Sequence, residues 1–509
     1  MMPMRTLLIS FFVISLLAIP LSAQVAPPSC SNGTINVCTV EGIDASQIQG
    51  VGNNVDPNGA VGTSQYLEWT DPVYQGYSKT FPYTTVWSAP VDGSTPWRYH
   101  GLPNCVGSSG NVVVNFDKLA QRFVIGRRQS NVNNGVETYE YCIAVSASSQ
   151  LSTNMVWYPF GFDLSGVLGK NSEGHYYYPD YPRISTWPDA YYVSIDVEDP
   201  DQGYPEVGVI VCAFDRTNML INGTVRPPIC FQYPQTFSDT LFYAHSLLPA
   251  DADGTVAPPK GTIEAFASLE NPMSGTTSNT LNLWEFHVDW SNPADSKFTG
   301  PTPIPVPTYT QGCYNPSLPT NTVCVPEPST PETNNYIDSV GDRLMQRLSF
   351  RSTGATKPAF TYVFSTTVQV GSGTGSQTGV EWYDFTPAGL KHSGIINPGD
   401  SNYRFMPSAA QDKVGNLAVG YSVSGYNLHP AIAASYLNLN QNTAPTEINL
   451  FSGTADEENT FHWGVYTSMT LDPVDDCTFW YVNEYFDTTQ FTNPTWQTRI
   501  SNFKLPNCK

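Results

Sequence analysis

Several arginines in this 509-residue sequence recur beside acidic or aromatic residues, although Lys and Arg number only 23 against 44 acidic residues. Guanidinium groups can hold a carboxylate bidentately, as on an acidic sugar. A nearby carboxylate pair can serve as acid and base, or as acid and nucleophile. We therefore expect one site to be formed by three arginines and three candidate catalytic aspartates: Arg183, Arg343, Arg404, Asp56, Asp180 and Asp342.

The same residues have a simpler interpretation, in which the Arg–Asp pairs only neutralise one another and join neighbouring parts of the fold. The aromatic residues also have two interpretations, as ligand contacts or as packing between sheets. Trp187, Trp463 and Tyr466 fall just before or within predicted inner strands, where they could contact a ligand. Aromatic side chains more often fill the space between sheets. Both alternatives remain open from the sequence.

Other catalytic and metal-binding motifs are missing from the sequence. It contains no HExxH, no GxSxG and no phosphate-binding loop, and its seven histidines form no i, i+4 pair. No cofactor is therefore expected, with one exception. The segment Asp251-Ala252-Asp253-Gly254 resembles half of a calcium loop without the later bidentate Glu, so it predicts either a calcium ligand set or a plain turn.

The elements that must position these residues read as β-strands. Runs rich in Val, Tyr, Phe and Thr alternate with Gly, Pro, Asn and Asp. A similar pattern of inner strand, tight turn and aromatic-rich strand starts at five positions: Asp56, Asn111, Tyr181, Met406 and Tyr466. The turns are expected at four aspartates: Asp117, Asp189, Asp412 and Asp472. The clearest segment with helical spacing is Ile337 to Phe350.

Two weaker units lie between these repeats, which gives seven in all. We expect an all-β fold: a single seven-bladed β-propeller of four-stranded antiparallel blades over residues 24–509, because closing a ring of blades buries their faces and edges. Two β-sandwich domains in tandem are the alternative. A Pro-rich excursion is expected at about 301–335, and either Asn32 to Gly42 or Thr498 to Leu505 is expected to close the ring.

The N-terminus predicts export. Residues 1–23 have a positive residue, an apolar run and a small residue at the end, as in a signal peptide, and an uncleaved anchor is the alternative. No later segment has the length of a transmembrane span. Ten cysteines in an oxidising compartment predict disulfides between sequence neighbours. The expected pairs are Cys30–Cys38, Cys105–Cys142, Cys212–Cys230, Cys313–Cys324 and Cys477–Cys508.

Composition limits the class of partner. A net charge of −21 repels phosphate backbones, so nucleic-acid binding is not expected. We expect a secreted monomer, in the periplasm, at the cell surface or outside the cell. It would bind a glycan or a protein through its loop face. The alternative is a glycan-cleaving hydrolase or lyase, although the Asp-box pattern of sialidases is missing.

The sequence also resembles a family of secreted bacterial proteins with a seven-bladed propeller, mostly of unassigned function. The resemblance is carried by segments such as DPNGAVG from Asp56, DYPRISTWPDAYYVS from Asp180 and HWGVYTSMTLDPVDDCTFWYVNEY from His462. It implies the fold and export, and supplies no reaction. One departure is Val465, where the family motif usually has Asp, so a contact made by that carboxylate would be lost.

Overall fold

The structure is a computed structural model. It describes residues 28–31, 33–48, 55–107, 110–133, 135–234, 241–242, 246–272, 277–313, 322–352, 360–371, 376–441, 443–457, 463–487 and 496–509. The predicted signal peptide lies outside these residues. Within them, no helix is long and apolar enough to cross a membrane.

Strands dominate the described residues. The first half of the chain contains β1 (Ser29–Cys30), β2 (Val37–Asp44), β3 (Asn58–Val61), β4 (Gln65–Thr70), β5 (Val73–Ser78), β6 (Val91–Asp92), β7 (Val113–Asp117), β8 (Arg122–Asn133), β9 (Val136–Ser146), β10 (Trp157–Asp163), β11 (Tyr178–Thr186), β12 (Tyr191–Glu198), β13 (Glu206–Phe214), β14 (Ile229–Pro234), β15 (Leu241–Phe242) and β16 (Leu248–Asp253). The second half contains β17 (Glu264–Leu269), β18 (Asn271–Pro272), β19 (Ser278–His287), β20 (Lys297–Tyr309), β21 (Val323–Val325), β22 (Ile337–Asp338), β23 (Leu348–Ser352), β24 (Phe360–Val370), β25 (Gln377–Thr386), β26 (Gly389–Ile396), β27 (Tyr403–Gln411), β28 (Asn416–Gly425), β29 (Leu428–Asn438), β30 (Thr446–Ser452), β31 (Ser468–Leu471), β32 (Thr478–Phe486) and β33 (Trp496–Lys504).

Helices are single turns among the described residues. Four are α-helical: α1 (Thr95–Arg98), α2 (Ser165–Leu168), α3 (Arg216–Met219) and α4 (Thr330–Thr333). The 3₁₀ turns are Ala45–Gln47, Pro103–Cys105, Pro200–Gln202 and Pro293–Asp295. The protein is therefore all-β, as the strand-and-turn pattern predicts.

Most strands form four-stranded antiparallel sheets in which sequence neighbours pair. Four such sheets are β3-β4-β5-β6, β7-β8-β9-β10, β11-β12-β13-β14 and β27-β28-β29-β30. An eight-stranded sheet, β20-β19-β17-β16-β23-β24-β25-β26, consists of two antiparallel groups of four that join through the parallel pair β16 and β23. The hairpin turns fall where the sequence predicts them, at Asp117, Asp189, Asp412 and Asp472.

The first strands of successive groups lie side by side around a common hub. β3 contacts β7, β7 contacts β11, β11 contacts β16, and β16 pairs with β23. β23 contacts β27, β27 contacts β31, and β31 returns to β3. The shortest of these strands, β3, β7, β23 and β31, are buried along their whole length. We call this cycle of first strands the hub.

The N-terminal and C-terminal strands share one sheet, in the order β1-β2-β33-β32-β31. Both predicted closing segments therefore take part, since β2 pairs antiparallel with β33. In this sheet β2 and β1 lie outside the final strand, β33. All five predicted disulfides form.

Two segments differ from their predictions. Ile337 to Phe350 is not helical: it forms β22, a loop and the start of β23, because its apolar residues enter the core from an irregular backbone. The segment 301–309 is not an excursion but part of edge strand β20. Ile304 and Val306 are buried in the core, while the prolines that alternate with them are more exposed. An edge strand tolerates proline, because its second edge has no partner strand and needs no N–H donor.

Candidate functional site

The start of the hub strands brings together polar residues from several sheets. We call this set the Asn111 cluster; its members are Asp56, Asn111, Arg128, Asp180, Tyr181, Arg183, Glu198, Asp342, Arg343 and Tyr466. Three members, Asn111, Tyr181 and Tyr466, have positive φ angles of 59°, 54° and 74°. These left-handed residues lie at the first positions of three of the sequence repeats, where the chain turns into the hub.

Asn111 connects residues from different sheets. Its backbone N–H donates to Asp56 Oδ2 at 3.2 Å, and its side-chain Nδ2 donates to Asp180 Oδ1 at 2.9 Å and to the Tyr466 hydroxyl at 3.1 Å. Its Oδ1 accepts from Arg128 Nη2 at 3.2 Å. Both donors of the amide and its acceptor oxygen are therefore used, which fixes the orientation of the side chain.

A β-bulge positions Arg183 within the cluster. The β11–β12 register shifts between Asp180 and Arg183, so Tyr181 and Pro182 form the bulge. The guanidinium carbon of Arg183 is 3.7 Å from the Tyr181 ring centroid and 4.2 Å from that of Tyr466. Arg183 is only 1% exposed, and its Nε and Nη2 have no hydrogen-bond partner among the described residues. The two rings stabilise its charge.

Arg343 reaches the cluster from the loop before β23. It forms a bidentate ion pair with Asp342, with Nε to Oδ1 at 3.2 Å and Nη2 to Oδ2 at 3.1 Å. Its guanidinium carbon lies 4.8 Å from the Tyr181 ring centroid, so Arg183 and Arg343 share one ring. Arg343 and Asp342 are partly exposed, which makes this pair accessible to a ligand.

Two carboxyl groups of the cluster are protonated more readily than usual. Burial raises the pKa of Asp56 to about 7, with Asp71 and Asp180 adding to the rise and the Asn111 N–H and Arg183 opposing it. Burial and the neighbouring Asp180 raise the pKa of Glu198 to about 8. Both groups are partly exposed, so a ligand can reach groups that exchange protons near neutral pH.

A narrow cleft borders the cluster at Arg343. Asp342, Gln311, Thr366 and Glu270 also line it. The Gln311 Nε2 is buried without a hydrogen-bond partner in the described part of the chain.

Arg404 does not join the other two arginines in shared contacts. It is bound bidentately by Asp400, at 2.9 and 3.0 Å, and by Glu447, at 2.7 and 2.9 Å. Its side chain is 1% exposed. The structure does not support Arg404 as a ligand contact, because Asp400, Glu447 and the Asn402 carbonyl already accept from its N–H groups.

Trp187 and Trp463 were expected to contact a ligand, but both indoles are buried in the core. The Trp187 ring packs against Phe350 at 4.7 Å and its Nε1 donates to the Thr262 carbonyl at 3.3 Å. The Trp463 ring stacks on Phe486 at 5.0 Å. Tyr466 is buried too, but its hydroxyl reaches the Asn111 amide.

The predicted calcium segment forms part of hub strand β16 rather than a turn. Arg347 donates to Asp251 at 2.6 and 3.0 Å and to Asp253 at 2.7 Å, and Lys118 forms an ion pair with Asp253. No group of three or more potential metal ligands occurs among the described residues. Calcium binding there stays a prediction, in which the ion would compete with two cations.

The sequence reasoning missed Asn111, Arg128 and Glu198 as members of the cluster. Asn111 opens a repeat in the sequence, as Tyr181 and Tyr466 do, and this position is the signal that could have found it. Arg128 and Glu198 lie on β8 and β12, away from the repeat starts. Only the packing of neighbouring sheets brings them to the hub.

Comparisons with known proteins yield no family. No family model matches the chain, and no curated protein sequence matches it. The resemblance to secreted bacterial propellers therefore stays a prediction.

Solved structures give distant matches. A PL25 ulvan lyase is 9% identical, covers 87% of this chain and 93% of its own, and has a TM-score of 0.42. An α-L-arabinofuranosidase from Fusarium graminearum is 9% identical, with coverage of 92% and 98% and a TM-score of 0.39. An α-L-arabinanase from Penicillium chrysogenum is 11% identical, with coverage of 79% and 98% and a TM-score of 0.37. TM-scores this low carry no argument about this chain.

Proposed function

We propose that the chain is a secreted seven-bladed β-propeller that binds a glycan at the Asn111 cluster. The blade count is supported by the cycle β3, β7, β11, β16, β23, β27 and β31, in which each strand begins a group of four. In the last group, β2 supplies the fourth strand beside β33. Export is supported by the five disulfides, which persist in oxidising compartments.

The observation that carries the binding proposal is the accessible part of the cluster. Asp56, Asp180, Glu198 and Arg343 are partly exposed, come from three different sheets or their loops, and combine the Arg343 donors with carboxyl groups. Sugar hydroxyls need such a mixed set, and ligand sites gather a few polar groups from several elements. The cleft beside Arg343 provides the concave surface.

Cleavage of the glycan is the second candidate function, and the carboxyl pair favours it. Asp56 and Asp180 both hydrogen-bond to Asn111, so their carboxyl groups lie within about 10 Å of each other. Paired carboxyls at roughly 5–9.5 Å support glycoside hydrolysis when one of them is a protonated acid near the working pH. Asp56, with its pKa raised to about 7, fits that acid.

A panel of neutral and acidic polysaccharides tests both functions. We expect the purified, oxidised protein to be retarded in gels that contain at least one polysaccharide, and Asp180→Asn to lose most of the retardation. Asp295→Asn, which alters an exposed aspartate in a surface turn, is the matched control. Release of reducing ends or of unsaturated products, lost in Asp56→Asn, would establish cleavage. Equal retardation of the wild type, Asp180→Asn and Asp295→Asn would mean that the polysaccharide binds outside the Asn111 cluster. No retardation of the wild type by any polysaccharide would refute the proposal.

A further inference from the structure

The exposed part of the Asn111 cluster is rich in carboxyl groups. Asp180 and Glu198 are partly exposed. Asp180 pairs with Asp196, which lies two residues before Glu198, so the β11–β12 register places all three side chains on one side of the sheet. On β13, Glu206 is the direct partner of Glu198. Like charges at opposite positions repel one another, so a cation from outside the chain would stabilise this surface.

The arginines of the cluster do not supply that cation at the surface. Arg128 and Arg183 are buried, with exposures of 5% and 1%, and Arg343 is bound bidentately by Asp342. Besides burial, three carboxyl groups raise the pKa of Glu198 and one arginine lowers it: Asp180, Asp196 and Glu206 against Arg343. The surface that a ligand can reach therefore attracts a cation and repels an acidic sugar.

An exposed aromatic ring lies beside the carboxyl groups. Tyr178 is the direct partner of Glu198 on β11 and β12, and the Tyr204 ring packs against the Tyr178 ring with 5.3 Å between their centroids. Tyr204 is 53% exposed. Binding sites for small molecules combine aromatic surface with a few polar groups, and a sugar ring presents both an apolar C–H face and hydroxyls. The Tyr204 ring therefore favours a sugar over a simple cation.

A separate feature of the cluster calls for an oxygen atom. Arg183 Nε and Nη2 are buried and have no hydrogen-bond partner in the part of the chain that the structure describes. The guanidinium contacts the rings of Tyr181 and Tyr466, which are both members of the cluster. Buried donors are nearly always paired with protein or water. These two N–H groups therefore need an oxygen acceptor from water or from a ligand hydroxyl.

We propose that the glycan bound at the Asn111 cluster carries a free amino group, whose ammonium pairs with the Asp180 and Glu198 carboxylates while a neighbouring hydroxyl accepts from Arg183. An amino sugar has both groups on adjacent carbons, and the hydroxyl reaches the buried guanidinium directly or through one bridging water. A basic peptide such as polylysine supplies the cation without the hydroxyl. This inference rests on the proposed glycan-binding function and names the class of glycan.

The test uses short oligomers of glucosamine and of N-acetylglucosamine as probes, because acetylation removes the charge of the nitrogen and leaves the other hydroxyls unchanged. Calorimetric titration of the purified, oxidised protein is carried out slightly below neutral pH, where the sugar amines are protonated. We expect the glucosamine oligomer to bind at least about 10-fold more tightly than the acetylated one, since it adds a charge-assisted contact. Added salt should narrow this difference, because it screens partly exposed charges.

Variants separate the site from a general attraction of cations to a protein of net charge −21. Asp180→Asn and Glu198→Gln each remove one carboxylate of the site, and we expect each to lose most of the preference for the glucosamine oligomer. Asp295→Asn is the matched control, because it removes the same charge from an exposed turn, and its preference should equal that of wild type. The ratio of the two affinities is the readout, since a structural loss weakens both oligomers alike. Oligolysine of similar length is the third probe and should bind more weakly than the glucosamine oligomer.

The outcomes are distinguishable. Equal affinity for the two sugar oligomers, or tighter binding of the acetylated one, would overturn the inference and leave glycan binding intact. An equal loss of preference in Asp295→Asn would also overturn it, because net charge alone would then explain the preference. Oligolysine that binds as tightly as the glucosamine oligomer would overturn it in favour of a basic peptide. Failure to bind these oligomers or any polysaccharide would contradict the proposed function together with the inference. Thermal unfolding of each variant shows whether a loss of affinity comes from a loss of the fold.

Discussion

The raised pKa of Asp56 makes a prediction about stability that needs no ligand. Folding moves this pKa from 3.8 to about 7, a difference of about 3 pKa units, and each unit corresponds to about 1.4 kcal/mol. The folded state holds its proton more tightly than the unfolded state, so the contribution of Asp56 to stability is present below pH 3.8. It is lost as the pH rises from 3.8 through 7.

Asp56→Asn removes this pH dependence, because the amide does not titrate. The free energy of unfolding of the wild type, relative to Asp56→Asn, should fall by about 2.5 kcal/mol between pH 5 and pH 8. Urea unfolding of both proteins at several pH values, under oxidising conditions, measures this difference. Because both proteins contain the other buried carboxyl groups, the contributions of those groups cancel when the two free energies are subtracted. Asp295→Asn should show no such change. A difference below about 0.5 kcal/mol would mean that Asp56 ionises normally and would refute the reasoning.

Three further predictions concern the rest of the hub. Arg347→Met should lower the free energy of unfolding by about 3–5 kcal/mol in urea titrations, because it leaves Asp251 and Asp253 without the cation that bridges them. An unchanged free energy would contradict this and would mean that Lys118 alone compensates for the two carboxylates. The double variant Cys477→Ser/Cys508→Ser should lose about 2–5 kcal/mol, since the bridge closes a separation of 31 residues, and an unchanged urea midpoint would contradict this. Arg404→Gln should destabilise the protein, but it should not change polysaccharide affinity at a temperature where the variant is folded. The reason is that its partners, Asp400 and Glu447, lie outside the Asn111 cluster. A loss of affinity in the folded variant would mean that Arg404 belongs to the binding site.

The strand pattern and the disulfides could be predicted because they depend on residues close in sequence. Hairpin turns at Asp117, Asp189, Asp412 and Asp472 follow from alternating apolar residues that are interrupted by turn formers. Neighbouring cysteines pair because the hairpins bring them together. Cys30 and Cys38, for example, are direct partners on β1 and β2, as Cys212 and Cys230 are on β13 and β14.

The site was predicted only in part, because its contacts join distant segments. Their positions in the repeats indicated that Arg183 and Arg343 would lie close together, and both contact the Tyr181 ring. The repeats gave no information on Asp400 and Glu447, which bind Arg404. Trp187 and Trp463 follow the same positional rule and are buried. The position of a residue along a repeat indicates at which end of the hub strand it lies. Only the packing of the sheets decides whether its side chain faces solvent.

The sequence by itself determined the strands, the turns, the cysteine pairs and the ends of the hub strands at which charged residues would gather. Each of these depends on local alternation and short loop closure. The tertiary structure alone decided which carboxylate meets which cation, and it made Asn111 the link between Asp56, Asp180 and Tyr466. Asn111 and Tyr466 are 355 residues apart. Such a hydrogen bond depends on side-chain positions to within tenths of an ångström, and only the packing of separate sheets sets those positions.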